Sequence, residues 1–207
     1  MSSARIITIL VLFISFNALY ADDRVKIELY TESLCPDCIQ ALVNSVKTAF
    51  ETKDINLIAD IQLYPYGNAR ESQSGDKWVF TCQHGENECV GNLMENCALS
   101  VATDYQTGLA FALCLETYIQ NYSDDFQQTG NYCAGVHNIN MNDVNSCMQS
   151  DKGNQLQHDV ATKTEALQPA HQYVPWVVVN DQHDTDVENQ VLNGMLSYVC
   201  QNYKGTE

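Results

Sequence analysis

Cys35 and Cys38, in the string Cys35-Pro36-Asp37-Cys38, are the residues whose type and spacing best suit chemistry. Such a pair cycles between dithiol and disulfide by thiolate attack, so it works without a metal or an organic cofactor. The attacking sulfur must be ionised, and the flanking sequence favours that. Residues 25–31 alternate as a strand, and residues 36–50 read as a helix that starts at the pair. A helix N-terminus presents unpaired N–H groups and a positive dipole end, which stabilise a thiolate. Pro36 fits the first turn because it loses no hydrogen bond there and its φ is already helical.

Other uses of these cysteines fit less well. A zinc knuckle needs two further ligands, and the spacings of Cys82, His84 and Cys89 match none of the common patterns. A structural disulfide inside one helical turn closes too small a loop to stabilise much. A cysteine-hydrolase pairing with a histidine leaves Cys38 without a purpose. The chain has nine cysteines. Seven remain outside the pair: Cys82, Cys89, Cys97, Cys114, Cys133, Cys147 and Cys200. Because seven is odd, one is free or joins another chain. Cys200, near the C-terminus and away from the others, is the expected one, and it would support a disulfide-linked homodimer.

Residues 1–21 have the form of a secretory leader, with Arg5, an apolar run from Ile6 to Ile14, and a small residue, Ala21, at the expected cut. An oxidising compartment follows, and with it disulfides. No later stretch approaches the ~20 apolar residues of a membrane span, so no membrane association is expected after cleavage. The formal charge of −16 repels phosphate backbones, which excludes nucleic acid as a partner. It also suits an acidic endosomal, lysosomal or extracellular setting, where self-repulsion falls.

The elements needed to position the pair follow in order. Residues 55–64 read as a second strand, parallel to the first through the helix. Ser72–Asp76 reads as a loop, and Trp78–Thr81 as a short apolar run. From about Asn87 to Leu167 the pattern is helical: Cys89, Leu93 and Cys97 recur every four residues, and two short segments, 142–149 and 154–167, follow. Val174-Pro175 then precedes the apolar strand Trp176–Asn180. Asp181–Asp184 reads as a turn toward a poorly defined fourth strand, and Val187–Asn202 as a final amphipathic helix. This order predicts an α/β thioredoxin-like fold, interrupted by a disulfide-bearing helical insertion over about 82–167. Pro175 stands where such folds carry a cis-proline, and with Val174 it would leave a strand edge open for substrate backbone beside Cys35.

A second string, Cys82-Gln83-His84-Gly85-Glu86-Asn87-Glu88-Cys89-Val90-Gly91-Asn92-Leu93-Met94-Glu95-Asn96-Cys97, resembles the signature CQHGxxECxxNxxxxC of the gamma-interferon-inducible lysosomal thiol reductase family. Residues 166–180 also resemble that family. The resemblance implies a thiol reductase that opens disulfides in unfolding protein substrates at acid pH. Within the signature, Cys89 and Cys97 would lie roughly 12 Å apart on one helix, beyond disulfide reach. Each needs another partner, and Cys82 is a natural one. His84 either tunes the dithiol or, with Gln83, satisfies backbone groups in a turn. The acidic Asp37 departs from the small neutral pairs of some relatives and is expected to oppose the Cys35 thiolate.

In the expected cycle Cys35 attacks, Cys38 resolves, and a small thiol restores the pair. His171 is expected to satisfy its loop rather than reach the dithiol, and His137, His158 and His183 show no catalytic pattern. Asn121-Tyr122-Ser123 is an N-glycosylation sequon. Two other classes are a secretory oxidase or isomerase, separable by reduction potential, and a secreted binding or immune factor that keeps the fold without the chemistry.

Overall fold

A computed structural model describes residues 23–205, so the expected leader, 1–21, lies outside the described residues. Strand β1 (Val25–Thr31) is central in a three-stranded sheet of order β2-β1-β5. It pairs in parallel with β2 (Ala59–Pro65), Val25 opposite Ala59 and Thr31 opposite Pro65. On its other side it pairs antiparallel with β5 (Trp176–Val179), Tyr30 opposite Trp176. Six of the seven β1 residues are buried, as expected of a strand paired on both edges and covered on both faces.

The helix after β1 runs unbroken from α1 (Pro36–Ala41) through a π turn (Leu42–Val46) into α2 (Lys47–Phe50). The π turn faces a break in the last helix, α8 (Thr185–Asn202), where Gly194 leaves helical geometry. Ser45 Oγ donates to Val191 O (2.6 Å) and accepts from Met195 N (2.9 Å). It thereby satisfies backbone groups that the break would otherwise strand in the core. Ile27, Leu29, Ile61 and Val177 of the sheet pack with Leu42, Val46, Val191 and Met195 in this first core.

Between the hairpin and β5 lie α3 (Glu86–Val101), α4 (Tyr105–Tyr118), α5 (Phe126–His137), α6 (Met141–Met148) and α7 (Asp151–Glu165). Asp104, Asp125, Asn140 and Ser150 cap the last four with side-chain oxygens. A second core fills this helical region, with Met94, Phe111, Leu115, Phe126 and Val144 packed around Cys97–Cys147 and Cys114–Cys133.

Three expectations are corrected. The second strand starts at Ala59, not 55, because Ile55–Leu57 form a 3-10 turn after the left-handed Asp54. Ile55 packs into the first core, while Leu57 is exposed there. Of the expected loop Ser72–Asp76, only Gly75 and Asp76 turn, and Ser72–Ser74 are strand. β3 (Arg70–Ser74) and β4 (Lys77–Thr81) form a hairpin turning at Gly75, φ +62. The all-polar β3 gives no alternation to read. Tertiary docking holds the hairpin: Trp78 exchanges two hydrogen bonds with the Asn154 side chain and stacks on His158 at 3.8 Å. Among the described residues, no fourth strand follows Asp184. After a single bridge, Val179 to Gln182, Asp184 caps α8 two residues earlier than expected.

Candidate active site

Cys35 is the N-cap of α1, and its Sγ accepts the Cys38 N–H at 3.3 Å. Its thiol also points at Val174 O, 4.0 Å away. The fold thus brings residues 35 and 174 together across the β1–β5 pairing, and the Val174–Pro175 bond is cis. A groove beside the pair is lined by Asp37, Gln40, Asn44, Tyr173, Val174 and Pro175.

The two sulfurs differ in acidity. The Cys35 pKa is lowered, first by the hydrogen bond with the Cys38 side chain and then by backbone N–H groups of Cys38 and Asp37, against burial and the Glu32 carboxylate. Cys38 is fully buried, and burial followed by the neighbouring Cys35 pushes its pKa far up. A thiolate therefore forms on Cys35 while Cys38 keeps its proton. Asp37 is exposed, and its N–H lowers the Cys35 pKa. The Glu32 carboxylate, buried three residues before Cys35, opposes the thiolate.

The signature string docks onto this site as one helix face. Glu88, Asn92 and Glu95 of α3, spaced four and three apart, are all buried and meet the loop Glu32-Ser33. Ser33 N donates to Asn92 Oδ1 at 2.8 Å, and Ser33 Oγ donates to Glu95 Oε1 at 2.7 Å. Burial holds Glu95 well above the usual carboxylate range, with the Glu116 charge adding, and burial raises Glu116 as well. His84 meets two buried carboxylates. Its Nδ1 lies 2.7 Å from Glu88 Oε2 and 3.5 Å from Glu32 Oε1. Gln83 meets the loop after β2 instead, accepting from Asn68 Nδ2 at 2.9 Å.

Cys82 bridges to Cys89 and Cys97 to Cys147, so Cys89 and Cys97 do not pair with each other. The Cys82–Cys89 bond also removes both sulfurs from any zinc site. Cys200 is unpaired and exposed. His171 lies with Glu165 and Asn68 in a groove apart from the dithiol. His158 stacks on Trp78 and His183 on Trp176, and His137 lines a pocket with Lys47 and Tyr118. Asn121 is exposed. Reading for apolar periodicity missed Glu32, Ser33, Glu95 and Glu116. The available signal was a polar stripe at helical spacing inside a cysteine-rich segment.

A family model described as gamma interferon inducible lysosomal thiol reductase (GILT) matches residues 26–137. The gamma-interferon-inducible lysosomal thiol reductase of Carassius auratus is 37% identical over 192 residues, 92% of this chain and 71% of its own length. The mouse protein of that name is 36% identical over 88% of this chain and 69% of its own length. A gamma-interferon-responsive lysosomal thiol protein of Arabidopsis thaliana is 35% identical over 88% of this chain and 72% of its own length. With this much of both chains aligned, the protein belongs to the gamma interferon inducible lysosomal thiol reductase family and is a disulfide oxidoreductase.

Proposed function

We propose that the chain reduces disulfides in protein substrates through Cys35 and Cys38, on a thioredoxin-like fold with a helical insertion over about 82–167. The observation that carries this reading is Cys35 Sγ at a helix N-cap, accepting the Cys38 N–H and facing Val174 O. The strand–helix–strand unit β1-α1-α2-β2, with β5 antiparallel beside β1, supports the fold assignment.

The Cys35 thiolate attacks one sulfur of the substrate disulfide, and the other leaves as a thiolate that takes a proton from solvent. Cys38 then gives up its proton and attacks Cys35 Sγ. The second substrate sulfur leaves and is protonated. Two electrons have passed to the substrate, and Cys35–Cys38 is a disulfide that a small thiol reduces again. Val174 and Pro175, just before β5, present an edge where an extended substrate segment can lie beside Cys35. At about pH 4.5 a thiol of ordinary pKa, ~8.5, is ionised to about one part in ten thousand. The lowered Cys35 pKa therefore matters most in an acid compartment.

Relatives whose names carry the word lysosomal, the leader-like residues 1–21 and the three disulfides support residence in the endosomal, lysosomal or extracellular space. No helix of the described residues is long and apolar enough to cross a membrane. The exposed Asn121 sequon supports glycosylation. The test is insulin-disulfide reduction at roughly pH 4.5 and roughly pH 7, with and without Cys35→Ser. Turnover that survives Cys35→Ser would overturn the assignment.

A further inference from the structure

We propose that Glu32, His84 and Glu88 form a binding site for a divalent transition-metal cation of the zinc class, behind the dithiol. One donor atom from each side chain lies within 4.8 Å of the other two. Glu32 is 1% exposed and Glu88 is fully buried, yet Glu32 Oε1 and Glu88 Oε1 have no hydrogen-bond donor. Among the described residues, the ion pairs of both carboxylates run to His84 alone. Two buried carboxylates, each with an unpartnered oxygen, are costly unless a cation joins them.

The donor set is one imidazole and two carboxylates, which suits zinc, manganese or ferrous iron and leaves a position for water. Donor atoms around a tetrahedral ion at ~2.1 Å stand ~3.4 Å from one another. The present spacings, from 2.7 Å to under 4.8 Å, bracket that value, so small side-chain shifts suffice.

The surroundings orient these groups as a second shell does. Asn68 N–H holds Glu32 Oε2 at 2.7 Å, which leaves Oε1 facing His84. His84 N–H holds Glu88 Oε2 at 2.6 Å. Gly67 packs so closely on Glu32 that a Cβ there would stand 2.3 Å from Oε2. The Cys82–Cys89 bridge closes the loop that carries His84. The His84 side chain is 32% exposed, which gives an ion a way in. The site does not depend on the reductase reading, and its test uses no turnover.

The test is calorimetric titration of Zn2+ into the oxidised chain carrying Cys200→Ser, in which Cys35 and Cys38 are joined and no thiol competes. One equivalent should bind at about pH 7, with a Kd of about 1 μM or tighter. His84→Asn and Glu88→Gln should each weaken binding by about 10-fold or more, with near-UV circular dichroism confirming that each variant folds. The zinc X-ray absorption edge should show nitrogen and oxygen neighbours with imidazole scattering. Absence of stoichiometric binding, or binding unchanged in both folded variants, overturns the proposal. Should either variant fail to fold, crystals of the Cys200→Ser chain soaked in Zn2+ decide. An anomalous peak between the three side chains supports the site, and none there overturns it.

Discussion

Cys35 and Cys38 share one helical turn, yet one is acidic and the other holds its proton, because only Cys35 sits at the cap where backbone N–H groups converge. Cys35→Ser should therefore lose turnover by several orders of magnitude. Cys38→Ser should accumulate a covalent complex with substrate, visible by mass spectrometry of acid-quenched reactions. A complex trapped by Cys35→Ser instead would reverse the roles. A second outcome concerns the neighbouring charge. Asp37 is exposed and solvent screens it, whereas Glu32 is buried. In chelator-treated buffer, Glu32→Gln should lower the Cys35 pKa, read from thiolate absorbance. Asp37→Ala should lower it by less. A larger effect from Asp37→Ala would show that its carboxylate turns toward the sulfur in solution.

At the scale of elements, α3 carries the signature because it is both a wall of the second core and the floor of the active-site loop. Gly91 marks the tightest approach: a Cβ there would meet the Phe126 ring at 2.5 Å and Ser33 Cβ at 2.6 Å. Gly91→Ala should cost about 1–3 kcal/mol of stability through overpacking. Because Ser33 lies two residues before Cys35, it should lower reductase turnover as well. Urea unfolding and the insulin assay report the two effects, and an unchanged urea midpoint would show that α3 can move away freely. The Cys97–Cys147 bridge spans 50 residues of the helical region. Replacing both cysteines by alanine should cost about 2–5 kcal/mol. That loss appears as a lower thermal midpoint with Cys35 and Cys38 intact.

Over the whole molecule, the charge of −16 and the buried acids act in the same direction. Glu32, Glu95 and Glu116 have raised pKa values, each chiefly from burial. A carboxyl that holds its proton more tightly when folded stabilises the protein below its unfolded pKa, about 4.3 for Glu. That stability is lost as pH rises through the higher folded value. His137 and His171, lowered by burial, act the other way and lose stability as pH falls below about 6.5. Three buried carboxyls with falling self-repulsion should outweigh two partly buried imidazoles. The thermal midpoint should therefore be higher near pH 5 than near pH 8, and Glu116→Gln should shrink the difference. A midpoint that rises steadily toward pH 8 would contradict this balance. Cys200, exposed on α8, is placed to link two copies. Non-reducing electrophoresis should show a covalent dimer that Cys200→Ser removes.

Local spacing was enough to read the dithiol on its helix, the parallel β1–β2 pair, the impossibility of a Cys89–Cys97 bond and the odd standing of Cys200. Each depends on geometry within one or two elements: the rise of a helix, the period of a strand, the parity of a cysteine count. Tertiary structure alone decided what faces those elements. The hairpin of β3 and β4 carries no apolar alternation and is held by Trp78 on α7. The Glu32 carboxylate, three residues before Cys35 and buried, also opposes its thiolate, and its burial depends on what packs around the loop after β1. The meeting of Glu32, His84 and Glu88, and of Glu95 with Glu116, depends on how α3 docks against the loop after β1. Distances between such segments are set by packing of the whole core, and no spacing along the chain encodes them.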